Sequence, residues 1–533
     1  MQNKIKMCII GAGPSGLCTA KEIQANNPNI NIKVFEKSND IGGIFANCYQ
    51  DLTLVNNPFL VSFSDFPPAI NDNHLKMWRA NEYVDYLNSY AKKNNLLKLI
   101  HFNTIVKKIS SIKGQWNIDF EHNGKVTTNT FDYLTICTGT NQKSKEIPLK
   151  NKQNFSGEII RSSDLKDVSI LKDKTVVFIG LGETASDLIY LSRHIVKNSY
   201  ASIRRWPGYF IPRYHDNQPT DLDTSNIYHA ISRDIDESKL SFLTKFKREI
   251  EYRNIISTDD KKIQSTIQEF NSSNPSIKHL GPFRRITVKS CGFIKAYLED
   301  KISLKPKISD LKGKTVMFED GSSVEADAIV LCAGHTFDLS FLPKEIRDDI
   351  SSPNKLYKYM FMPKTNNCYF IGFVRPNLGS LPSVSELQAR YLSAYLSNKI
   401  SLPNQATMKK CILNQQETSK WQFPVDFERV SHIVDYRNYT RSLAKDLKVL
   451  PKQWHLFFSD IYLWYKINFS FLYPGIYRIH PKGPQSKKAI SIIKQLPTMP
   501  KKILLLESVL YVLNKFNFRT KKAHKTNLKG KKP

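Results

Sequence analysis

The chain has no closely spaced cysteine pair. Its eight cysteines (Cys8, Cys18, Cys48, Cys137, Cys291, Cys332, Cys368 and Cys411) are scattered over 533 residues without a C-x-x-C. That scatter argues against a disulfide framework and structural zinc, and it fits a reducing compartment, so a cytoplasmic location is expected. Cys8, Cys137 and Cys332 sit inside apolar strand patterns, where the thiol behaves as a small hydrophobe. No uninterrupted apolar run reaches the ~18 residues of a spanning helix. No secretory leader is expected, because the first strand pattern begins by about Lys4. Acidic side chains are in deficit: 48 Asp and Glu against 78 Lys and Arg leave a net charge of +30. No helix-turn-helix, zinc-finger or ribonucleoprotein signature accompanies the basic excess, so no nucleic-acid partner is expected. Part of the excess is terminal, since residues 501–533 hold ten Lys and Arg and a single acid, Glu507. The remaining lysines read as solvated faces, still drawn towards anionic surfaces. Neither a Ser/His/Asp set nor a metal-ligand cluster is legible.

What the chain does have is two glycine fingerprints. Gly11-Ala12-Gly13-Pro14-Ser15-Gly16 follows the apolar run Met7-Cys8-Ile9-Ile10, and Gly180-Leu181-Gly182-Glu183-Thr184-Ala185 follows Val176-Val177-Phe178-Ile179. In both, a buried-strand pattern ends in glycines and opens into a helix-like stretch, the context that separates a dinucleotide site from a chance match. The first glycine permits a tight turn, the second lets backbone approach the pyrophosphate, and the third position packs helix on strand. The helix N-terminus then offers N–H groups to the phosphates. Glu36 ends the run Ile32-Lys33-Val34-Phe35, about 20 residues further on, where an acid accepts hydrogen bonds from the unphosphorylated adenosine ribose of FAD. The second unit has no acid at the equivalent strand end. Residues 196–203 lead instead into Arg204-Arg205, which suits a 2′-phosphate and hence NADPH; two ordinary surface arginines are the alternative. Two dinucleotides on one chain point to a flavin exchanging electrons with a nicotinamide.

At this length two or three domains are expected, and 41% hydrophobic with 24% charged residues is ordinary for a soluble globular enzyme. The strand pattern of residues 131–139 ends at Thr138-Gly139, and that of residues 326–334 ends at Gly334. Strands of this kind carry the chain between two nucleotide domains. The expected fold is α/β, with two Rossmann-like dinucleotide-binding domains and the NADPH domain inserted in the FAD domain. The expected spans are 1–152 (first part of the FAD domain), 153–333 (NADPH domain), 334–450 (second part of the FAD domain) and 451–533 (C-terminal extension). A hairpin turn is expected at Phe318-Glu319-Asp320-Gly321-Ser322.

Further strings resemble the flavin-containing monooxygenases, specifically their animal-type branch, over residues 5 to about 497. They are Gly42-Gly43-Ile44-Phe45, with Phe45 where the family usually has Trp; Phe63-Ser64-Asp65-Phe66-Pro67; Gly379-Ser380-Leu381-Pro382 leading into Glu386-Leu387-Gln388-Ala389-Arg390; and Tyr473-Pro474-Gly475-Ile476-Tyr477-Arg478 followed by Lys482-Gly483-Pro484. Departures accompany the likeness. Phe155 and Gly157 of the identifying motif are present, but Arg161 replaces its His and Leu165 its aromatic residue. His335 stands where Tyr is usual after Ala333-Gly334, and Thr140 where His is common.

The resemblance implies that NADPH reduces FAD, that reduced flavin and dioxygen form a flavin hydroperoxide, and that a soft nucleophile such as an amine or thioether takes the distal oxygen. Baeyer–Villiger or N-hydroxylating relatives, and an NADPH oxidase-type flavoprotein that transfers no oxygen, share both nucleotide sites and remain alternatives. Cofactor contacts are expected from Gly11, Gly13, Pro14, Ser15, Gly16, Glu36, Gly43, Phe45, Thr138, Gly139, Gly180, Gly182, Thr184, Ala185, Arg204, Arg205, Gly334 and Gln388. Gln388 and Arg390 have a purely structural reading as well. Asn56, in Asn56-Asn57-Pro58, matches the family's active-site asparagine. Its spacing to Phe63 is one residue short, which keeps Asn57 as the fallback. The C-terminal apolar stretch 503–513 with its lysine tail is either a peripheral membrane anchor or a docking helix.

Overall fold

The computed structural model describes residues 4–71, 75–204, 208–215, 218–226, 229, 260–273, 284–480 and 484–498. Arg205, Lys482, Gly483 and the tail from residue 499 therefore lie outside the described residues. Contacts divide the chain into two compact units, residues 1–219 with 256–448 and residues 220–255 with 449–533. The segment around residues 220–229, expected within the nicotinamide stretch, thus groups with the C-terminal helices.

The first unit contains two parallel-stranded sheets. In chain order, β1 (Ile5–Ile10), β2 (Ile30–Phe35), β3 (Ile100–His101) and β4 (Tyr133–Ile136) enter the first sheet. Next, β5 (Glu158–Arg161), β6 (Thr175–Ile179), β7 (Asn198–Ser202), β8 (Ser303–Lys305) and β9 (Ala328–Leu331) form the second, and β10 (Phe361–Met362) and β11 (Thr365–Phe370) return to the first. The first sheet runs β10-β11-β4-β1-β2-β3, parallel except for β10. The second runs β8-β7-β6-β9-β5, parallel throughout. The nicotinamide-type sheet is thus inserted between β4 and β10. Met7 to Ile10 and Val176 to Phe178 are buried, because parallel strands are covered on both faces and read as continuous apolar runs. Each fingerprint strand is central in its sheet. Strand order reverses beside it, which leaves a crevice at its carboxyl end.

The two crossings between the sheets pair with each other: His335 opposes Ser144 and Thr336 opposes Lys143 in a short antiparallel ribbon. Gly139 (φ 73°) and Gly334 (φ 82°) turn the chain into that ribbon from β4 and β9. Two antiparallel three-stranded ribbons go beyond the one expected hairpin: Thr104–Ile112 with Gln115–His122 and Lys125–Phe131, and Ile308–Lys312 with Thr315–Phe318 and Ser323–Glu325. The expected turn at Asp320-Gly321 closes the last hairpin, with Gly321 at φ 79° and the Ser322 N–H donating to Asp320 Oδ1 at 3.0 Å.

The second unit packs helices Gln453–Ser459, Ile461–Phe469 and Pro484–Gln495. Lys466 Nζ donates to the Leu496 carbonyl and Lys494 pairs with Asp460 at 2.7 Å. Among the described residues no helix is long and apolar enough to cross a membrane.

Candidate active site

The first fingerprint is a backbone device. Gly11 adopts φ +103°, and a Cβ there would meet the Cys137 carbonyl at 2.8 Å. Gly16 opens helix α1 (Pro14–Asn26) directly against the turn, where a Cβ would lie 1.8 Å from the Gly11 carbonyl. Gly13 differs, because the nearest atom to its imagined Cβ is Gly43 Cα at 3.6 Å. Gly43, at φ +61°, looks back at Gly13 Cα. Two bare backbones therefore bound a slot at the N-terminus of α1, whose cap residue Gly13 supplies no side-chain acceptor. A pyrophosphate fits such a cradle, since it needs close backbone approach and unfilled N–H donors.

Glu36 is buried at the tip of β2. Its Oε2 accepts from the Ala12 N–H at 2.7 Å, and its Oε1 accepts from the Ser38 N–H and hydroxyl at 2.9 and 2.7 Å. A carboxylate has about four lone-pair sites, so the carboxylate is held beside the cradle with capacity for a ribose hydroxyl. Ser15 shares a hydrogen bond with Ser385 at 2.9 Å; it ties α1 to helix Leu381–Leu396. Phe45 meets the Tyr83 ring edge-on at 4.9 Å, and Thr138 Oγ1 accepts from Gln142 Nε2 at 2.7 Å.

The second fingerprint repeats the first turn. Gly180 has φ +96°, its Cβ position lies 2.8 Å from the Cys332 carbonyl, and Gly182 faces open space. Ala185 fills the third position and is fully buried in helix α2 (Glu183–Ser192), while Thr184 is half-buried. Glu183 starts that helix. Its carboxylate accepts from the backbone N–H groups of Lys289 and Ser290, and burial raises its pKa above the ordinary value. Arg204 is exposed just beyond β7.

Further along α2, Asp187 accepts from the Tyr49 hydroxyl at 2.8 Å and Ser290 Oγ, and pairs with Arg213 at 2.9 Å. This buried knot joins the two sheets' surroundings, and no local pattern announces it. Burial and the Asp187 charge drive the Tyr49 hydroxyl's pKa far up.

Asn57 caps the short helix Pro58–Val61, with its Oδ1 accepting from the N–H groups of Phe59 and Leu60 at 3.0 and 3.3 Å. Asn56 is the buried amide beside it. The string around Phe63 is locked to the string around Gln388: Glu386 accepts from both the N–H and the hydroxyl of Ser64, at 2.8 and 2.5 Å. Gln388 also ties the fold together: its Oε1 accepts from the Gly372 N–H at 2.9 Å and its Nε2 donates to the Tyr439 hydroxyl at 2.6 Å. Of the motif departures, Arg161 pairs with Glu146 at 2.8 Å on the surface, whereas Leu165 is buried.

Two dinucleotide cradles, at the carboxyl ends of the parallel strands of two sheets, one inserted in the other, define a flavoprotein oxidoreductase with a nicotinamide co-substrate. Residues 4–505 match the flavin-binding monooxygenase-like family, and the chain belongs to it. It is 28% identical over 532 residues to a 4-hydroxybenzoate brominase (decarboxylating) of Marinomonas mediterranea, covering 97% of this chain and 99% of that protein. It is 27% identical to flavin-containing monooxygenase 5 of Cavia porcellus, covering 90% of each. In fold it is similar to cyclohexanone monooxygenase from Rhodococcus sp. Phi1 bound to NADP+, with a TM-score of 0.62 and 16% identity over 83% of this chain and 97% of that one. The enzyme is thus a flavin-dependent NADPH monooxygenase that uses FAD, NADPH, dioxygen and a small-molecule substrate.

Proposed function

We propose that the enzyme transfers one oxygen atom of dioxygen to a soft nucleophile, an amine or thioether. The observation that carries this reading is the pair of glycine cradles at the carboxyl ends of two sheets joined by one ribbon, an arrangement that suits a flavin and a nicotinamide exchanging hydride. When bound, the flavin accepts hydride from the nicotinamide and activates dioxygen; the protein orients it and excludes water. Gly11, Gly13, Gly16 and Gly43 hold its pyrophosphate by backbone and Glu36 its ribose. Gly180, Gly182, Thr184 and Ala185 serve NADPH, with Arg204 and Arg205 on its 2′-phosphate. Pro14 presets the first turn of α1, Ser15 fixes that helix, and Phe45, Thr138, Gly139 and Gly334 line the passages beside the cradles. Asn56 supplies an amide that orients bound oxygen or the nicotinamide without titrating. Such a preorganised dipole counts most where water is excluded. Asn56→Ala should leave NADPH-driven flavin reduction largely intact while diverting oxygen from product to hydrogen peroxide. Unchanged coupling of NADPH to product in Asn56→Ala would falsify that role.

The brominase relative favours a second reading. Bromide is itself a soft nucleophile, and its oxygenation gives hypobromite, which brominates an electron-rich phenol. Product analysis with 4-hydroxybenzoate and bromide, set against a thioether without bromide, decides between the two acceptors.

We also propose peripheral membrane association. Trp454, Phe458, Ile461 and Tyr462 expose 71, 79, 61 and 50% of their surfaces on consecutive helices, an amphipathic face that suits a lipid interface beside a lysine-rich tail. Sedimentation with anionic vesicles at low salt, lost on truncation after Pro500, is the expected behaviour. A truncated protein that still binds vesicles would remove the tail from that role.

A further inference from the structure

Residues 42–57 start at the first glycine cradle and end at the two asparagines, and on the way they are gripped by segments of the second sheet. At the start, the Gly42 N–H donates to the Ala12 carbonyl at 3.3 Å, and Gly43 faces Gly13. At the end, Asn57 caps the helix Pro58–Val61. Between these points the grip comes from three places. Lys166, between β5 and β6, donates from Nζ to the Asn47 carbonyl at 2.6 Å, and its own carbonyl accepts from the Gln50 N–H at 2.8 Å. Asp187, on α2, accepts from the Tyr49 hydroxyl at 2.8 Å. Arg213, beyond β7, donates from one Nη2 to the Thr53 carbonyl at 3.2 Å and to both Asp187 carboxylate oxygens at 3.1 and 2.9 Å. The next residue adds a tie, because the Tyr214 hydroxyl accepts from the Met77 N–H at 2.8 Å. Residues 77–80 run beside the gripped segment, where Thr53 bridges to Arg79.

The placement of these ties has a consequence for both cofactors. Asp187 lies about one turn into α2, the helix whose N-terminus belongs to the second glycine turn. Thr53 lies three residues before Asn56. One guanidinium therefore spans from the helix of one cradle to the backbone that carries the amide of the other. Tyr49 and Asp187 are buried, and Asp187 also accepts from Ser290 Oγ. A buried carboxylate with several donors tolerates little displacement, since losing one partner leaves an uncompensated charge away from water.

We propose that Asp187 and Arg213 are positioning residues that set the register of residues 42–57 against α2, so that filling the nicotinamide cradle is transmitted to the Asn56 amide. They act through Tyr49 and the Thr53 backbone. The inference rests on the assignment of the second fingerprint to NADPH and is independent of which acceptor takes the oxygen.

Hydrogen exchange of the FAD-loaded enzyme, read with and without NADP+, tests it. In the wild type, NADP+ should slow exchange in α2 and in residues 42–57 together, because binding raises the free energy of every local opening coupled to the site. Asp187→Asn keeps the side chain's size and removes the charge that holds Arg213. NADP+ should still protect α2 in this variant, while most of its protection of residues 42–57 is lost. Flavin reduction at saturating NADPH should fall ~10–100-fold with NADP+ affinity little changed, the split produced by a small misplacement and not by lost binding. Arg213→Gln should behave alike, because the two side chains act as one pair. Tyr49→Phe deletes one hydrogen bond and no charge; it should show the same split to a smaller extent, and it carries the test if the charge variants fail to retain flavin. Wild-type protection of residues 42–57 in these variants overturns the proposal. So does a loss of NADP+ affinity that matches the slowed reduction, since the knot then serves binding alone. If NADP+ leaves α2 itself unprotected in the wild type, the nicotinamide assignment falls and the positioning role falls with it.

Discussion

The two fingerprints solve the same backbone problem with different tolerances. Gly11 and Gly180 are near copies, at φ +103° and +96°, each with its Cβ position 2.8 Å from the carbonyl of the neighbouring strand's cysteine, Cys137 or Cys332. The third positions diverge. A Cβ at Gly16 would meet the Gly11 carbonyl at 1.8 Å, whereas Ala185 carries its Cβ in a fully buried seat. The second strand's tip diverges too, with a satisfied acid at Glu36 and an exposed base at Arg204. Backbone geometry fixes the first glycine, and helix-to-strand distance fixes the third residue. The residue at the strand tip is free to answer to the nucleotide.

Exchanging the third positions gives the largest expected contrast. Gly16→Ala must push α1 off its turn, at a cost of about 3 kcal/mol or more, with loss of bound flavin. Ala185→Gly should cost only about 1 kcal/mol. Thermal unfolding and flavin content measure both, and comparable effects at the two sites would break the comparison. At the strand tips, replacing Arg204 and Arg205 together by Ala should cost about 2–4 kcal/mol of NADPH-over-NADH selectivity, the scale for unpairing a charge. A retained preference in the kcat/KM ratio would move phosphate recognition elsewhere.

The desolvated imidazole of His432, in the first unit, makes a pH prediction. His432 is held neutral, with its pKa lowered to about 4 by burial and by Arg375 and Lys145. The unfolded chain takes up that proton near pH 6.5 and the folded chain only near 4. The associated stability is thus present above about pH 6.5 and is lost as pH falls towards 4, up to ~3 kcal/mol. His432→Gln should flatten denaturant-measured stability across that window, and an unaltered slope would assign it to other groups. The smallest effect belongs to the capping asparagine. Asn57→Ala should lose about 1 kcal/mol of stability while keeping the coupling of NADPH oxidation to product, the reverse of Asn56→Ala.

Strands β1, β2, β6 and β9, both glycine turns, the insertion of one sheet in the other and Glu36 were legible because each is written in a short contiguous stretch. Of the antiparallel ribbons, only the turn at Asp320-Gly321 was legible. The strand Lys125–Phe131 is exposed over most of its length and has no apolar alternation, and its register comes from its partner. For Gln388 the motif shows that the residue matters, and its neighbours Gly372 and Tyr439 show its part in the fold.

The sequence alone therefore determined the class of protein and the places of its two cofactor turns, because φ preference, glycine spacing and strand burial act within a few residues. Tertiary structure decided what depends on distant segments meeting. It buried Asp187 between Tyr49, Arg213 and Ser290. It also brought the backbone of Arg375 to that of His432. Desolvation and Coulomb interactions depend on who stands next to whom in space, and that order is set only when the chain has folded.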